Sequence, residues 1–453
     1  MDNHAININS RLIKKEVWGI GGPAIIESLF TTFASIIDTK MVSALGVTAI
    51  SAVSVTNQPK LFVFCLFFAI NVAVSALVAR CMGQEDRKKA NEIFAAAFIV
   101  AVIACSIISI ICVLAAKHIM ILCSGQKDTM ELSIAYYRIV MGGMIFNILF
   151  MLINSALRGC GYTKLTMQTN IVSTIVNICC NYLLIEGHLG FPRLGINGAA
   201  IATVMGTVVA LIVSMVKIFN EEYFVNARYI IKEHIRISKA TCIEFYGMWK
   251  NICIENLMTR VGFLISSMIT ARIGSFDMSI YSIGMTLMNI TFAFGDGLQS
   301  AAVALIGRSI GEKRADKVEA FMSAVQRCGV ECSVVIGFIY AVLGRLYYSF
   351  FSDDVIFINK GMIVCFIISI IGPIQVAQII FNGALKSMNC TRETLFAAVI
   401  SVTIVNPVVA FVLTYMLGMG IWGVWIGIFV SQLTRMIILL KLYNKQLPKL
   451  RMG

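Results

Sequence analysis

The residues in this sequence with the clearest capacity for chemistry are polar side chains inside long apolar stretches. Asp38 stands near the end of the first such stretch. A carboxylate removed from water takes up a proton more readily, and it binds a small cation when other oxygens converge on it. Asn177, Asn181 and Thr203 are candidates for those oxygens, and the two asparagines, four residues apart, share one helix face. Two simpler interpretations stay open: Asp38 reaches water at the end of its stretch, and the asparagines only bond neighbouring helices.

Three ionisable side chains, Glu27, Glu255 and Arg260, lie in other apolar stretches. Placing a charged side chain in hydrocarbon costs about 2.5–3.5 kcal/mol, so each needs a structural or functional reason. The functional interpretation is that both glutamates line a polar cavity and attract cations. The alternative is that Glu255 pairs with Arg260 or Lys250 and fixes the packing of helices.

Three further polar residues are weaker candidates for a cavity lining. Asp296 lies between two glycines, where we predict a helix break whose backbone groups line a cavity. Gln375 and Gln378 follow a Gly-Pro pair, and we interpret them in the same way.

The elements that must position these residues are transmembrane helices. Of 453 residues 58% are hydrophobic and 13% are charged, whereas soluble domains carry about 25% charged residues. Uncharged runs such as Ile93–Ala116 and Ile196–Val216 are long enough to cross a bilayer as helices. We therefore predict an all-α integral membrane protein. Its twelve predicted spans lie near residues 17–42, 52–80, 93–117, 133–157, 165–186, 196–218, 244–272, 280–306, 322–345, 359–386, 395–417 and 421–441.

The net charge of +13 reflects membrane topology. Alternate connections between the predicted spans are basic, and roughly 27 of the 37 Lys and Arg residues fall on one side, which the positive-inside rule makes cytoplasmic. Both termini are then predicted to be cytoplasmic. The basic excess therefore does not indicate a nucleic-acid partner.

The chain consists of two similar halves. Glu27 and Glu255 are 228 positions apart (255 − 27), and the same separation relates Gly46 to Gly274 and Ala156-Leu157-Arg158 to Ala384-Leu385-Lys386. We predict an N-terminal lobe of helices 1–6 (residues 1–218), a cytoplasmic linker (219–243) and a C-terminal lobe of helices 7–12 (244–453). Parallel repeats of this kind place a solute between the halves and alternate its access by rocking. A channel or membrane enzyme made of two static halves is the alternative.

An ion gradient is the energy source that remains after elimination. The sequence has no G-x-x-x-x-G-K-[ST] phosphate loop and no His-Glu-x-x-His pair, so we expect no nucleotide, metal or other cofactor beyond a coupling H⁺ or Na⁺. We find no cluster of catalytic groups within the spans, and we predict that the protein is not an enzyme.

The motifs of both halves resemble those of one transporter family. In order along the chain they are Gly22-Pro23-x3-Glu27, Asp38-x3-Val42-x2-Leu45-Gly46, Ala156-Leu157-Arg158-Gly159-x-Gly161-x-Thr163-Lys164, Gly198-Ala199-Ala200-Ile201-Ala202-Thr203, Glu255-x4-Arg260-x-Gly262 and Leu305-Ile306-Gly307-x3-Gly311. From about Gly22 to Lys441 the sequence resembles the multidrug and toxic compound extrusion (MATE) family, within the multidrug/oligosaccharide-lipid/polysaccharide exporter superfamily.

This resemblance implies two six-helix lobes around a central cleft and export of organic cations against incoming H⁺ or Na⁺. Asp38 matches the coupling carboxylate of the family's first span. Asn177 matches the asparagine of its fifth-span Asn-x3-Asp, and Thr203 matches the threonine of its sixth span. Pro23 matches the first-span proline that is associated with bending of that helix.

Two positions depart from the family pattern. Asn181 replaces the common aspartate, which removes a charge from the implied cation site. Gln375 stands where some relatives carry an acidic residue in the tenth span. Both departures favour H⁺ over Na⁺ as the coupling ion.

We therefore predict an ion-coupled antiporter that exports amphipathic, cationic small molecules by alternating access. We expect a monomer in the cytoplasmic membrane of a bacterium. The alternative is a flippase for lipid-linked saccharides or cell-wall precursors from the same superfamily, which should have a more basic cavity.

Overall fold

All regular secondary structure is helical in the computed structural model, which describes residues 10–124 and 127–452. The helices are α1 (Ser10–Ser43), α2 (Val47–Gly83), α3 (Arg87–Leu114), α4 (Ala116–Ser124), α5 (Lys127–Gly142), α6 (Met144–Gly159), α7 (Thr163–Ile185), α8 (Ile196–Ile218), α9 (Ala227–Lys232), α10 (Lys239–Ile273), α11 (Ser275–Gly311), α12 (Ala315–Ser349), α13 (Val355–Ser387), α14 (Thr391–Ala398), α15 (Asn406–Phe411) and α16 (Ile421–Met452). Two π-helical segments, Val399–Val405 and Val412–Met416, follow α14 and α15. The predicted all-α class is confirmed.

Most of these helices have the length and composition of membrane spans. Ten helical segments qualify within the described ranges, and one of them, Thr391–Met416, spans α14, α15 and both π-helical segments. The helices α5 and α6 together form an eleventh span that is bent by 43°. The helix α7 coincides with the remaining predicted span. Its 23 residues are enough to cross a bilayer, but Asn170, Asn177 and Asn181 make it more polar.

The outer surfaces of the spans are apolar. Val216 on α8 and Phe338 on α12 are both 69% exposed, and such side chains are normally buried in a soluble protein. Their exposure on helices with the length and composition of membrane spans indicates contact with lipid, and the protein is a multi-pass membrane protein.

The chain forms two compact units, and two helices contribute to both of them. Residues 26–253 make the N-terminal unit; the chain up to Ile25 and residues 254–453 make the C-terminal unit. The helix α1 passes from one unit to the other after Ile25, and α10 does so after Cys253. These crossing points are 228 residues apart (253 − 25), the separation seen between the sequence repeats. The lobe bounds predicted from the sequence stay a prediction.

The segment predicted as a linker is bound to the N-terminal unit by hydrogen bonds. The Arg87 guanidinium, at the start of α3, donates to the carbonyl oxygens of Glu221, Tyr223 and Phe224 at 3.1, 2.9 and 3.2 Å. Asn91 Nδ2 also donates to Phe224 O at 3.0 Å. Satisfying these carbonyls gives the irregular chain before α9 a defined path.

Each unit has its own apolar core. In the N-terminal unit, Val42, Ala49, Ile185 and Ala199 belong to a cluster that joins α1, α2, α7 and α8. In the C-terminal unit, Trp425 lies at 0% exposure among side chains of α11, α13 and α16.

Close helix packing predicts that alanine substitutions at two glycines of α10 have different effects on thermal stability. A Cβ at Gly262 would lie 2.2 Å from Val402 O, whereas one at Gly247 would have nothing within 4 Å. We expect Gly262→Ala to lower the melting temperature in detergent, because overpacking costs about 1–3 kcal/mol. Gly247→Ala is the matched control and should leave it unchanged or slightly raised. Equal melting temperatures for Gly262→Ala and the wild type would contradict this packing.

Candidate functional site

Asp38, Asn177, Asn181 and Thr203 lie together in the N-terminal unit. Asn181 Nδ2 donates to Asp38 Oδ1 at 2.7 Å. We assign the Asn177 amide with its nitrogen towards Asp38, because the opposite orientation would bring two acceptors face to face. In this orientation Asn177 donates to Asp38 Oδ1 at 2.8 Å, and its oxygen accepts from Thr203 N at 3.2 Å.

The asparagines therefore direct amide nitrogens towards the carboxylate. The sequence had indicated them as sources of ligand oxygens, but an amide nitrogen is a donor and does not bind a cation. Thr203 Oγ1 donates to Ala199 O of its own helix at 3.0 Å. Asn181 Oδ1 is buried and has no hydrogen-bond partner among the described residues. This arrangement solvates a carboxylate charge inside the membrane.

Small residues on α8 allow the site to assemble. A Cβ at Gly206 would lie 2.8 Å from Ser173 O and 3.0 Å from Asn177 Cβ. A larger residue would hold α8 away from α7, and with it Thr203 from Asn177. The apolar cluster that includes Tyr136 and Val140 of α5 packs around the same helix ends.

Lys60 of α2 is a charged residue to which the sequence analysis assigned no role. Its side chain is partly buried within a membrane span. The cost of a charge in hydrocarbon was the available signal, because Lys60 lies within a predicted span.

Glu27 is held by three side chains of the N-terminal unit. Arg158 donates to it at 2.9 Å, Thr166 at 2.8 Å and Asn170 at 2.7 Å. These contacts join α1 to α6 and α7. Since both carboxylate oxygens are engaged, the residue packs helices together.

Glu255 is held in the same way in the C-terminal unit, with two cationic partners. Arg435 donates to it at 2.8 Å and Asn382 at 2.9 Å, while Lys386 lies 3.2 Å from its carboxylate. Thr394 adds a hydrogen bond of 3.1 Å. Glu255, Lys386 and Arg435 are all buried.

The expectation that Glu255 pairs with Arg260 or Lys250 is wrong. Five residues along an α-helix rotate a side chain by about 140° away from the first one, so Glu255 and Arg260 point to different sides of α10. Arg260 is exposed, and among residues 10–124 and 127–452 no carboxylate forms an ion pair with it within 4 Å. The interpretation that Glu255 fixes helix packing describes its contacts well.

The two glutamate sites are copies of each other. Arg158 and Lys386 are 228 positions apart (386 − 158), as are Thr166 and Thr394 and the glutamates themselves. We call each glutamate with its basic and threonine partners a glutamate clamp. The internal repeat read from the sequence thus extends to individual side-chain contacts.

The remaining candidates lie on α1, α11 and α13. Pro23 is inside α1, which continues as a helix past it. Asp296 is exposed on α11, which runs unbroken through both neighbouring glycines, so the predicted helix break is wrong. Those glycines instead permit close packing, since a Cβ at Gly295 would lie 2.8 Å from Ile379.

The two glutamines are buried on α13. Gln378 Nε2 donates to Gln432 Oε1 at 3.2 Å. Neither amide atom of Gln375 has a hydrogen-bond partner within the described part of the chain. A buried amide without a protein partner is a position for an internal water.

Comparison with known proteins identifies the family. The MatE family model matches twice, at residues 23–183 and 252–412. The chain belongs to the MatE family. The two matches of one model also confirm the internal repeat. This MATE protein therefore belongs to a family of membrane transporters.

Relatives and solved structures match over almost the whole chain. It is 24% identical to the uncharacterized transporter YisQ of Bacillus subtilis, over 94% of this chain and 93% of the relative. It is 23% identical to the probable multidrug resistance protein NorM of Thermotoga maritima, over 92% and 89%. A multidrug resistance MATE family transporter of the MOP superfamily in an outward-facing conformation superimposes with a TM-score of 0.90, at 17% identity and 97% coverage of both chains. The last likeness confirms the fold.

The glutamate clamps predict that neutralising the two glutamates of this MATE protein lowers its melting temperature by different amounts. We expect Glu255→Gln to lower the melting temperature strongly, because breaking a buried ion pair costs about 3–5 kcal/mol and leaves two buried cations uncompensated. Glu27→Gln is the matched control and should have a smaller effect, because the side chain of its partner Arg158 is 28% exposed. Thermal unfolding in detergent, followed by size-exclusion chromatography, measures both. A larger loss for Glu27→Gln would contradict the assignment.

Proposed function

We propose that this MATE protein is an H⁺-coupled antiporter that exports amphipathic, cationic small molecules by alternating access. The observation that carries the proposal is the partly buried carboxylate of Asp38, held by amide donors in a membrane span. Relatives named as multidrug resistance proteins, such as NorM of Thermotoga maritima, support small-molecule drugs as the substrate class.

Protonation of Asp38 would change its contacts with α7. The ionised carboxylate accepts from Asn177 and Asn181, whereas a carboxyl group must itself donate from one oxygen. Taking up a proton therefore weakens part of the connection between α1 and α7. If the outward-open and inward-open states differ in this connection, they differ in proton affinity, and this difference links proton entry to substrate exit.

Two features favour H⁺ over Na⁺. Asn181 stands where an additional carboxylate would raise the affinity for a metal cation. Sodium also needs several converging oxygens, as hard cations do, and the amides of Asn177 and Asn181 turn nitrogens to Asp38.

The second candidate function is a flippase for lipid-linked saccharides or cell-wall precursors. Arg260 favours it, because an exposed guanidinium on a membrane span suits an anionic phosphate group. We rank it second because the acidic site at Asp38 would then lack a role. In either case we propose a monomer in the bacterial inner membrane with both termini in the cytoplasm.

Dye efflux from pump-deficient bacteria tests the proposed function. We expect the wild type to export several fluorescent cations, to lose export on adding a protonophore, and to be indifferent to external Na⁺. Asp38→Asn should abolish export, because it removes the proton-exchanging group. Asp353→Asn, in the exposed loop before α13, is the control and should export normally.

The outcomes separate the two candidates. Absence of export of every cationic dye by well-expressed wild-type protein would refute the antiporter and favour the flippase. Export that requires Na⁺ and survives the protonophore would refute H⁺ coupling.

A further inference from the structure

An apolar groove lies on the surface of the N-terminal unit, beside the end of α8. Its volume of about 730 Å³ is in the range of pockets that hold small ligands, about 300–1,000 Å³. The lining comes from one face of α8 and from the chain that follows it: Leu211, Ile212, Met215, Val216, Phe219, Asn220 and Arg228. Arg228 is the charged member of this lining.

The apolar wall of the groove has the length of one membrane leaflet. From Leu211 to Phe219 the helix rises by about 12 Å, at about 1.5 Å per residue, and half of a hydrocarbon core of about 30 Å is about 15 Å. Ile212 and Val216 are 57% and 69% exposed, on a helix with the composition of a membrane span. This wall therefore suits an acyl chain that runs along α8.

The polar end of the groove is fixed by hydrogen bonds to α3. Besides the bonds from Arg87 to the carbonyls before α9, Asn226 N donates to Asn91 Oδ1 at 2.8 Å. Asn226 Oδ1 in turn accepts from Tyr229 N at 2.8 Å. These bonds hold the backbone on both sides of Arg228, so its position beside α8 does not depend on a ligand.

The Arg228 guanidinium is available to an anionic ligand. Its Nη1 lies 3.8 Å from a Glu221 carboxylate oxygen, and the two side chains are 63% and 71% exposed. An exposed ion pair of this length contributes little and is readily exchanged for another partner. A guanidinium offers two parallel N–H groups that match the oxygens of a phosphate group.

The other basic residue near the end of α8 points elsewhere. Lys217 Nζ donates to Leu165 O at 3.2 Å and to Thr169 Oγ1 at 3.3 Å, both on α7. Arg228 is therefore the basic side chain that this groove presents to a ligand.

We propose that the groove binds one anionic phospholipid, with an acyl chain along α8 and the phosphate group at Arg228. The apolar wall complements the chain, and Arg228 supplies the positive charge that an anionic headgroup lacks. The chain from Lys217 to Lys239 carries five basic and three acidic residues, a net charge of +2 (5 − 3), and basic segments next to a membrane span are attracted to anionic lipids. The bound lipid ties the segment between α8 and α10 to the membrane surface.

Native mass spectrometry of the purified full-length protein tests the proposal. Phosphatidylglycerol and phosphatidylcholine with identical acyl chains are the two probes, and we expect the wild type to bind one phosphatidylglycerol more tightly. Arg228→Gln should weaken phosphatidylglycerol binding about fivefold, the contribution of one basic residue at an anionic membrane surface, and leave phosphatidylcholine binding unchanged. Arg236→Gln is the matched control, because this exposed arginine lies outside the groove, and it should bind both lipids as the wild type does.

Two further variants separate the parts of the site. Glu221→Gln should strengthen phosphatidylglycerol binding, because it removes the negative charge that competes for Arg228. Val216→Trp should weaken the binding of both lipids, because the larger side chain fills the groove while the charges stay the same. Size-exclusion chromatography shows that each variant is folded.

Four results would overturn the proposal. They are equal affinity of the wild type for the two lipids, unchanged phosphatidylglycerol binding by folded Arg228→Gln, unchanged lipid binding by Val216→Trp, and equal losses in Arg228→Gln and Arg236→Gln. The last result would show a general attraction to basic residues without a site at the groove. These measurements involve neither the exported substrate nor the coupling ion, so they stand or fall independently of the proposed function.

Discussion

The cost of a charge in hydrocarbon constrains where every ionisable side chain of this protein can lie. Glu27 and Glu255 meet the constraint by complete pairing, each with a basic and a threonine partner. Asp38 meets it differently, with amide donors at close range and, among the described residues, no ion pair within 4 Å. A fully paired carboxylate holds helices together, whereas a carboxylate held mainly by neutral donors can still change its protonation state.

The two repeats share the glutamate clamp but differ at the position of Asp38, the proposed exchange site. The position 228 residues after Asp38 is Ser266 (266 − 38), which is buried and donates to Gly262 O of its own helix at 3.3 Å. The duplicated halves therefore share the contacts that stabilise them, while the acidic site at Asp38 belongs to the N-terminal unit.

The sequence predicted the helices and the repeat well, because apolar length and fixed spacing are local signals. The grouping of Asp38 with Asn177, Asn181 and Thr203 was predicted from polar side chains inside apolar stretches, and the family resemblance pointed to the same residues. The partners of Glu255 could not be predicted, since Lys386 and Arg435 are 131 and 180 residues away (386 − 255 and 435 − 255). Amide orientation at Asn177 and the unbroken helix at Asp296 depend on packing against other helices, which spacing alone does not encode.

Proton countertransport by the purified protein in liposomes tests the central claim most directly. A pH-sensitive dye trapped inside would follow protons while a gradient of a transported organic cation is imposed without Na⁺. We predict proton movement opposite to the cation, absent in Asp38→Asn liposomes that contain the same amount of folded protein. Cation movement by the wild type without proton movement, or unchanged proton movement in Asp38→Asn, would contradict Asp38 as the exchanging group.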